Sequence, residues 1–240
     1  MSGLLDSSVA LVAGGTGGLG RSVCEALLMD GATVVTTYRS QPELTSLTQS
    51  ASASGKSAHL SGRQVDVTDE AATRELIAGI LDAHGRIDCL INTVGGYAGG
   101  HKLWEVEPAV LERMLSLNLR SGFALARAAV PAMLQRRAGC IVNVVAQAAL
   151  SHPAGAAAYA ASKAAALAMF GSLASELVGS GVRVNTILPT VIDTEANRQA
   201  MPHADFSKWP KPADIARVVL FLCSPNARSV HGAAIPVSGF

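Results

Sequence analysis

Charged residues are scarce in this sequence and almost balanced: Asp, Glu, Lys and Arg make up 15% of 240 residues and leave a formal net charge of +1. No basic cluster exceeds the Arg136-Arg137 pair, so the electrostatic footprint of a nucleic-acid binder is missing. Cysteine is equally sparse. Cys24, Cys89, Cys140 and Cys223 lie far apart, without the paired spacing of a zinc site or a disulfide framework, and read as small core hydrophobes in a reducing compartment. The six histidines show no ligand spacing, so no metal is expected. No apolar run approaches the roughly 20 residues of a membrane span, and the N-terminus lacks the basic region of a leader. The expectation is a cytoplasmic protein with neither a membrane nor a nucleic-acid partner. What remains is a chain 49% hydrophobic, too apolar for disorder, whose length one α/β domain commonly fills, 1–240.

Two kinds of segment alternate along it. β-branched runs at 8–14, 32–38, 63–67, 87–93, 140–146, 182–189 and 233–239 are nearly continuously apolar, the pattern of strands buried on both faces of a parallel sheet. Between them come helical patterns. Leu19, Val23, Ala26 and Leu27 share one face of a helix over 18–29. Others are expected over 68–83, over 108–136 as two helices meeting near 119–121, over 155–178, and from Pro212 to Leu222. This alternation predicts a doubly wound, Rossmann-type α/β fold with right-handed crossovers. Residues 40–60 are weakly helical, and 190–211 form a long connection of the kind that usually serves a site.

The first strand runs into AGGTGGLG, where Gly14, Gly18 and Gly20, with Thr16 and Leu19 between them, form a strand-to-helix turn. Glycines there permit close backbone approach to a pyrophosphate, and the helix N-terminus supplies donors. The second strand ends without the acid that would hold the ribose hydroxyls of NADH. It carries Tyr38, Arg39 and Ser40, and an Arg fork with a serine hydroxyl suits a 2′-phosphate, so NADPH is expected over NADH. Further on, AAAYAASKAAALAMF places Tyr159 and Lys163 on one helix face. That spacing alone fits a surface tyrosine beside a solvated lysine as well as a proton donor beside a cation.

Taken together, the glycine turn, Asp66, Asn92 and Gly95 in INTVGG, Asn118 in LSLNLRSG and YAASK at 159–163 resemble the short-chain dehydrogenase/reductase family over essentially the whole chain. The resemblance implies a sheet of seven parallel strands and a homodimer or homotetramer. It implies that Asp66 and Val67 hold the adenine, that Asn92 braces the turn after strand four, and that Pro189, Ile192 and Thr194 cover the nicotinamide. Tyr159 would give a proton to a small-molecule substrate, Lys163 would hold the ribose and lower the tyrosine pKa from about 10, and Asn118 would position a water.

The serine that ketone-reducing members carry 13 residues before the tyrosine is Ala146 here. Losing such a donor typically costs ~10²–10³ in rate where the reaction needs it. Dihydropteridine reductases manage without it. The chain resembles them at AQAAL, at VGGYAGG (94–100) and at LPTVIDTEANRQAMPHADFSKW (188–209), although the animal enzymes end strand two with an acid. The resemblance implies reduction of quinonoid dihydropterin, with 190–211 covering the substrate, Tyr97 stacked on the ring, and Ala146, Gln147 and Tyr159 beside it. The first half of the chain is more similar to bacterial 3-oxoacyl-thioester reductases, so a carbonyl reductase, with Gln147 as replacement donor, is the alternative. A non-catalytic NADPH-binding regulatory protein is a third.

Overall fold

The apolar runs become strands β1 (Val9–Ala13), β2 (Thr33–Tyr38), β3 (Leu60–Gln64), β4 (Cys89–Asn92), β5 (Gly139–Val144), β6 (Val182–Pro189) and β7 (Ala234–Val237). The computed structural model describes residues 3–239. All seven strands pair in parallel, in the order β3-β2-β1-β4-β5-β6-β7, which is the doubly wound arrangement expected. The helices are α1 (Gly18–Met29), α2 (Gln41–Ala53), α3 (Glu70–His84), α4 (Pro108–Leu115), α5 (Ser121–Arg136), α6 (Ala148–Ser151), α7 (Ala157–Glu176), α8 (Glu195–Ala200) and α9 (Pro212–Cys223).

Strand periodicity divides the core. Ala10 and Val12 of β1 join Val23 and Leu27 of α1 and Val219 and Leu222 of α9 on one face of the sheet. Val9, Leu11 and Ala13 point the other way, toward Ile77 of α3, Leu125 and Met133 of α5 and Phe170 of α7. Each large side chain so buried contributes roughly 1.5–3 kcal/mol, which is why the central strands are mostly apolar on both faces.

Three elements differ from the sequence reading. Strand β3 occupies 60–64, not 63–67, because its register, Val34 against Leu60 through Tyr38 against Gln64, uses up its single partner. Val65, Asp66 and Val67 run past the end of β2 and find no ladder. Being an edge strand, β3 also needs little apolar content, and its residues are half-buried or exposed. The weak pattern at 40–60 contains a full helix, α2. Between Pro108 and Arg136 the chain forms the two expected helices, α4 and α5, but without a break between them. It stays helical throughout, with a π-helical turn over Ser116–Arg120 joining α4 to α5.

Candidate active site

Toward the C-terminal edge of the sheet β4 and β5 each carry a buried asparagine. Asn92 and Asn143 face each other in register on β4 and β5, and Asn92 Nδ2 donates to Asn143 Oδ1 at 2.9 Å. Asn92 Oδ1 in turn accepts from the Val94 amide at 3.2 Å, which fixes the turn after β4. The glycine turn lies beside it. Gly14 has φ +78°, a left-handed conformation that favours glycine, and its N–H donates to Thr37 Oγ1 at 2.9 Å. No side chain caps the start of α1, so its first N–H groups face the turn unspent. A Cβ on Gly20 would stand 2.2 Å from the Gly14 carbonyl oxygen. Gly20→Ala is therefore expected to push the turn apart, costing about 1–3 kcal/mol in stability and abolishing nucleotide binding. Thermal unfolding and a dinucleotide titration check both.

A cleft of about 210 Å³ opens over this turn. Gly14, Thr16, Tyr38, Arg39, Asp66, Val67 and Gly95 line it, as the sequence reading grouped them. Asp66 is held by Thr68, whose backbone N–H and hydroxyl both donate to its Oδ1, at 2.9 and 2.8 Å. Those bonds, with Arg39 nearby, keep its carboxyl below the ordinary value despite partial burial. Tyr38 turns its hydroxyl to Gln41 Oε1 at 2.9 Å. Gly18, Leu19, Gly20, Ser40, Asn92, Pro189, Ile192 and Thr194 do not line the cleft. Leu19 and Ile192 pack into the core, and Ser40 precedes α2 without capping it by its side chain. Thr194 closes over the turn, with its Cγ2 2.8 Å from where a Cβ on Gly18 would stand.

Eight residues lining the cleft were not singled out by the sequence reading, and one of them is charged. Glu43, in the first turn of α2, lines it and accepts a hydrogen bond from Thr16 Oγ1 at 3.0 Å. Without a firm helix assignment over 40–60, nothing in the sequence aimed this acid at the glycine turn.

Gly95 joins the cleft to the second half of the site. A Cβ there would stand 2.9 Å from Asn118 Oδ1 and 3.0 Å from Lys163 Nζ. Asn118 is buried in the π turn, and its side chain is fully engaged. Its Oδ1 accepts from the Gly96 N–H at 2.9 Å, and its Nδ2 donates to the Gly96 carbonyl at 3.0 Å and to Ser162 Oγ at 2.9 Å. Its side chain thus clamps the loop after β4. Ser162, the other end of that clamp, was not singled out by the sequence reading, although its place beside Lys163 could have found it.

Tyr159 and Lys163 lie one turn apart on α7. Lys163 is 5% exposed, and its Nζ donates to the Val144 carbonyl at 3.3 Å. Burial pulls its pKa down to about 8. The Tyr159 phenol moves opposite to expectation: burial, with Tyr97 adding to it, pushes it up to about 12. The ammonium is turned to the backbone of β5, so desolvation outweighs any help it gives the phenolate. Tyr97 sets its ring edge-to-face against Tyr159, with centroids 5.0 Å apart, and remains 68% exposed. Ala146 is buried two residues beyond the end of β5. Gln147 bonds its amide N–H to the Pro189 carbonyl at 2.9 Å, and its buried side-chain Oε1 has no partner.

The connection at 190–211 is ordered by its own contacts. Thr194 caps α8 by accepting from the Asn197 amide, Arg198 pairs with Asp193, and Arg198 also lies over the Phe206 ring, itself packed on Trp209. Among the described residues no helix is long and apolar enough to cross a membrane.

The family profile described as short chain dehydrogenase matches residues 8–205. The 3-oxoacyl-acyl-carrier-protein reductase FabG of Thermotoga maritima is 30% identical, with 98% of each chain covered. Dehydrogenase/reductase SDR family member 4 of Bos taurus is 32% identical over 98% of this chain and 87% of its own. Among solved structures, a short-chain dehydrogenase/reductase from Burkholderia xenovorans superposes with a TM-score of 0.89 at 31% identity, covering 99% of this chain and 97% of the other. Levodione reductase superposes with a TM-score of 0.92 at 25% identity, covering 98% and 97%.

Proposed function

The chain belongs to the short-chain dehydrogenase/reductase family, and from that premise we propose that it is an NADPH-dependent reductase of an already polarised ring such as quinonoid dihydropterin. The observation that carries this reading is the company Tyr159 keeps. Its ring abuts that of Tyr97, its hydroxyl has no hydrogen-bond partner among the described residues, and the position where a ketone reductase would carry serine is the methyl of Ala146. A ring nitrogen can take the phenolic proton without a second hydroxyl to polarise it, and the exposed face of Tyr97 offers a stacking surface to a planar substrate. In the reductive direction the donor must be protonated, which a pKa of about 12 ensures at neutral pH.

The glycine turn, with its left-handed Gly14, tightly packed Gly20 and uncapped α1, fits a dinucleotide's pyrophosphate. Asp66 and Val67 would hold its adenosine end, Arg39 with Ser40 its 2′-phosphate, Lys163 its second ribose, and Pro189, Ile192 and Thr194 would cover its nicotinamide. The bound cofactor supplies the hydride. Glu43 opposes the phosphate on charge, and Thr16 holds it. In the same reading 190–211 covers the substrate, and the exposed Leu111, Phe123 and Leu134 of α4 and α5 belong to a homo-oligomer contact.

A second reading, reduction of 3-oxoacyl thioesters, is favoured by the 30% identity to FabG along nearly the full length. Steady-state assays with chemically generated quinonoid dihydropterin and with a 3-oxoacyl thioester, each under NADPH and NADH, separate the two. Turnover is expected with the pterin and NADPH, and Ala146→Ser is expected not to improve it. Thioester turnover alone, rising in Ala146→Ser, would replace the first reading by the second.

A further inference from the structure

Three of the cysteines, scattered in sequence, meet at the N-terminal edge of the sheet, the end away from the glycine turn. Cys89 and Cys140 are register partners on β4 and β5. Cys223, the last residue of α9, reaches the same place: Cys140 Sγ lies 3.2 Å from the carbonyl oxygen of Leu222, one residue before Cys223. The Cys140 and Cys223 thiols act on each other's ionisation, and Cys89 also acts on Cys223. All three side chains border a cavity of about 230 Å³ that Arg183 and Asp88 also line. Arg183 is fixed there by bonds to the carbonyls of Val230 and Ser224, both 3.4 Å long.

Buried cysteines that only fill space have no need of one another or of a cation. Here the arrangement differs between partners. As a thiol, Cys140 donates to the Leu222 carbonyl. As a thiolate, it is favoured by Cys223 and by the guanidinium of Arg183, and these hold its pKa below the ordinary value against the effect of burial. Cys223 is displaced upward. Cys24, buried on α1 near the glycine turn, shows the contrast: burial pushes its thiol up to about 12.

We propose that Cys140 and Cys223 form a peroxide-oxidisable dithiol site, reached through the cavity at the floor of the sheet and separate from the reductase site. Hydrogen peroxide supplies the oxidant. The Cys140 thiolate attacks one peroxide oxygen, the O–O bond breaks, and hydroxide leaves, giving a sulfenic acid at Cys140. The Cys223 sulfur then attacks the Cys140 sulfur, its proton leaves with the departing oxygen as water, and a disulfide forms. Overall, two thiols and one peroxide become one disulfide and two waters.

The test uses the full-length protein treated with hydrogen peroxide, quenched, denatured, alkylated with N-ethylmaleimide and mapped by mass spectrometry. The expected result is the loss of two alkylation sites and two hydrogen masses, a dithiothreitol-reversible peptide linking Cys140 to Cys223, and unchanged labelling of Cys24 and Cys89. Cys89→Ser is expected to form the link and Cys140→Ser to form none. Four labelled cysteines after peroxide, a link between Cys89 and Cys223, or a Cys140→Ser protein that still loses two thiols would each overturn the proposal. The wild-type map decides the matter even where a variant fails to fold.

Discussion

Tyr159→Phe is expected to lower kcat/KM for substrate reduction by about 10²–10⁴-fold, the range that one positioned proton donor contributes, while leaving cofactor affinity unchanged. The substitution removes only the hydroxyl. The ring keeps its edge-to-face contact with Tyr97, and the hydroxyl has no hydrogen-bond partner among the described residues to be orphaned. Thermal stability should therefore hold or rise slightly, which distinguishes this loss from misfolding. NADPH oxidation kinetics beside a fluorescence titration of the cofactor make the measurement. Full activity in the variant would take Tyr159 out of the chemistry.

Lys163→Met is expected to make the protein more stable and a poorer enzyme. The folded chain holds this amine at a pKa of about 8 against 10.5 ordinarily, because burial disfavours its charge. The unfolded chain therefore binds more protons between those values, and stability rises with pH across that window, by about 3 kcal/mol when complete. Below pH 8 the whole burden remains. Tyr159 acts in the opposite sense higher up, since its folded pKa of about 12 exceeds the ordinary 10.0, so its contribution is lost as pH climbs from 10 to 12. Urea denaturation of the wild type should show a gain between pH 8 and 10 that Lys163→Met lacks, the variant being more stable at neutral pH. On the proposed role of Lys163 at the cofactor ribose, losing that charge-assisted contact should meanwhile raise the cofactor KM about 10–100-fold. A variant destabilised at neutral pH would show that the amine's hydrogen bond to Val144 outweighs its desolvation.

What the sequence disclosed follows from how locally each feature is encoded. The central strands were legible because burial on both faces forces a nearly unbroken apolar run. The glycine turn was legible because only glycine fits at Gly14 and Gly20. Strand β3 was displaced by three residues because its register is set by the length of β2, a fact held in another segment. Glu43 went unnoticed because its side chain matters only once α2 has been laid beside the glycine turn. The direction of the Tyr159 shift was misjudged for a similar reason: a spacing of four brings tyrosine and lysine together but does not say that Val144 will claim the amine or that the phenol will be half-buried. Contacts within an element can be read from the chain, whereas desolvation belongs to the assembled molecule.

The π-helical turn at Ser116–Arg120 works as a phase adjuster. One surplus residue in a regular helix rotates everything after it by about 100°, so the rod carries two apolar stripes that would otherwise fall out of line. Met114 ahead of the turn is buried beside Asn118, and Leu125 and Met133 behind it are buried against the sheet. Deleting a single residue from this segment would restore uniform winding and make the two stripes compete. Either Asn118 would swing away from Gly96, unfastening the loop that carries Gly95, or the long helix would lose its seat on β4 and β5.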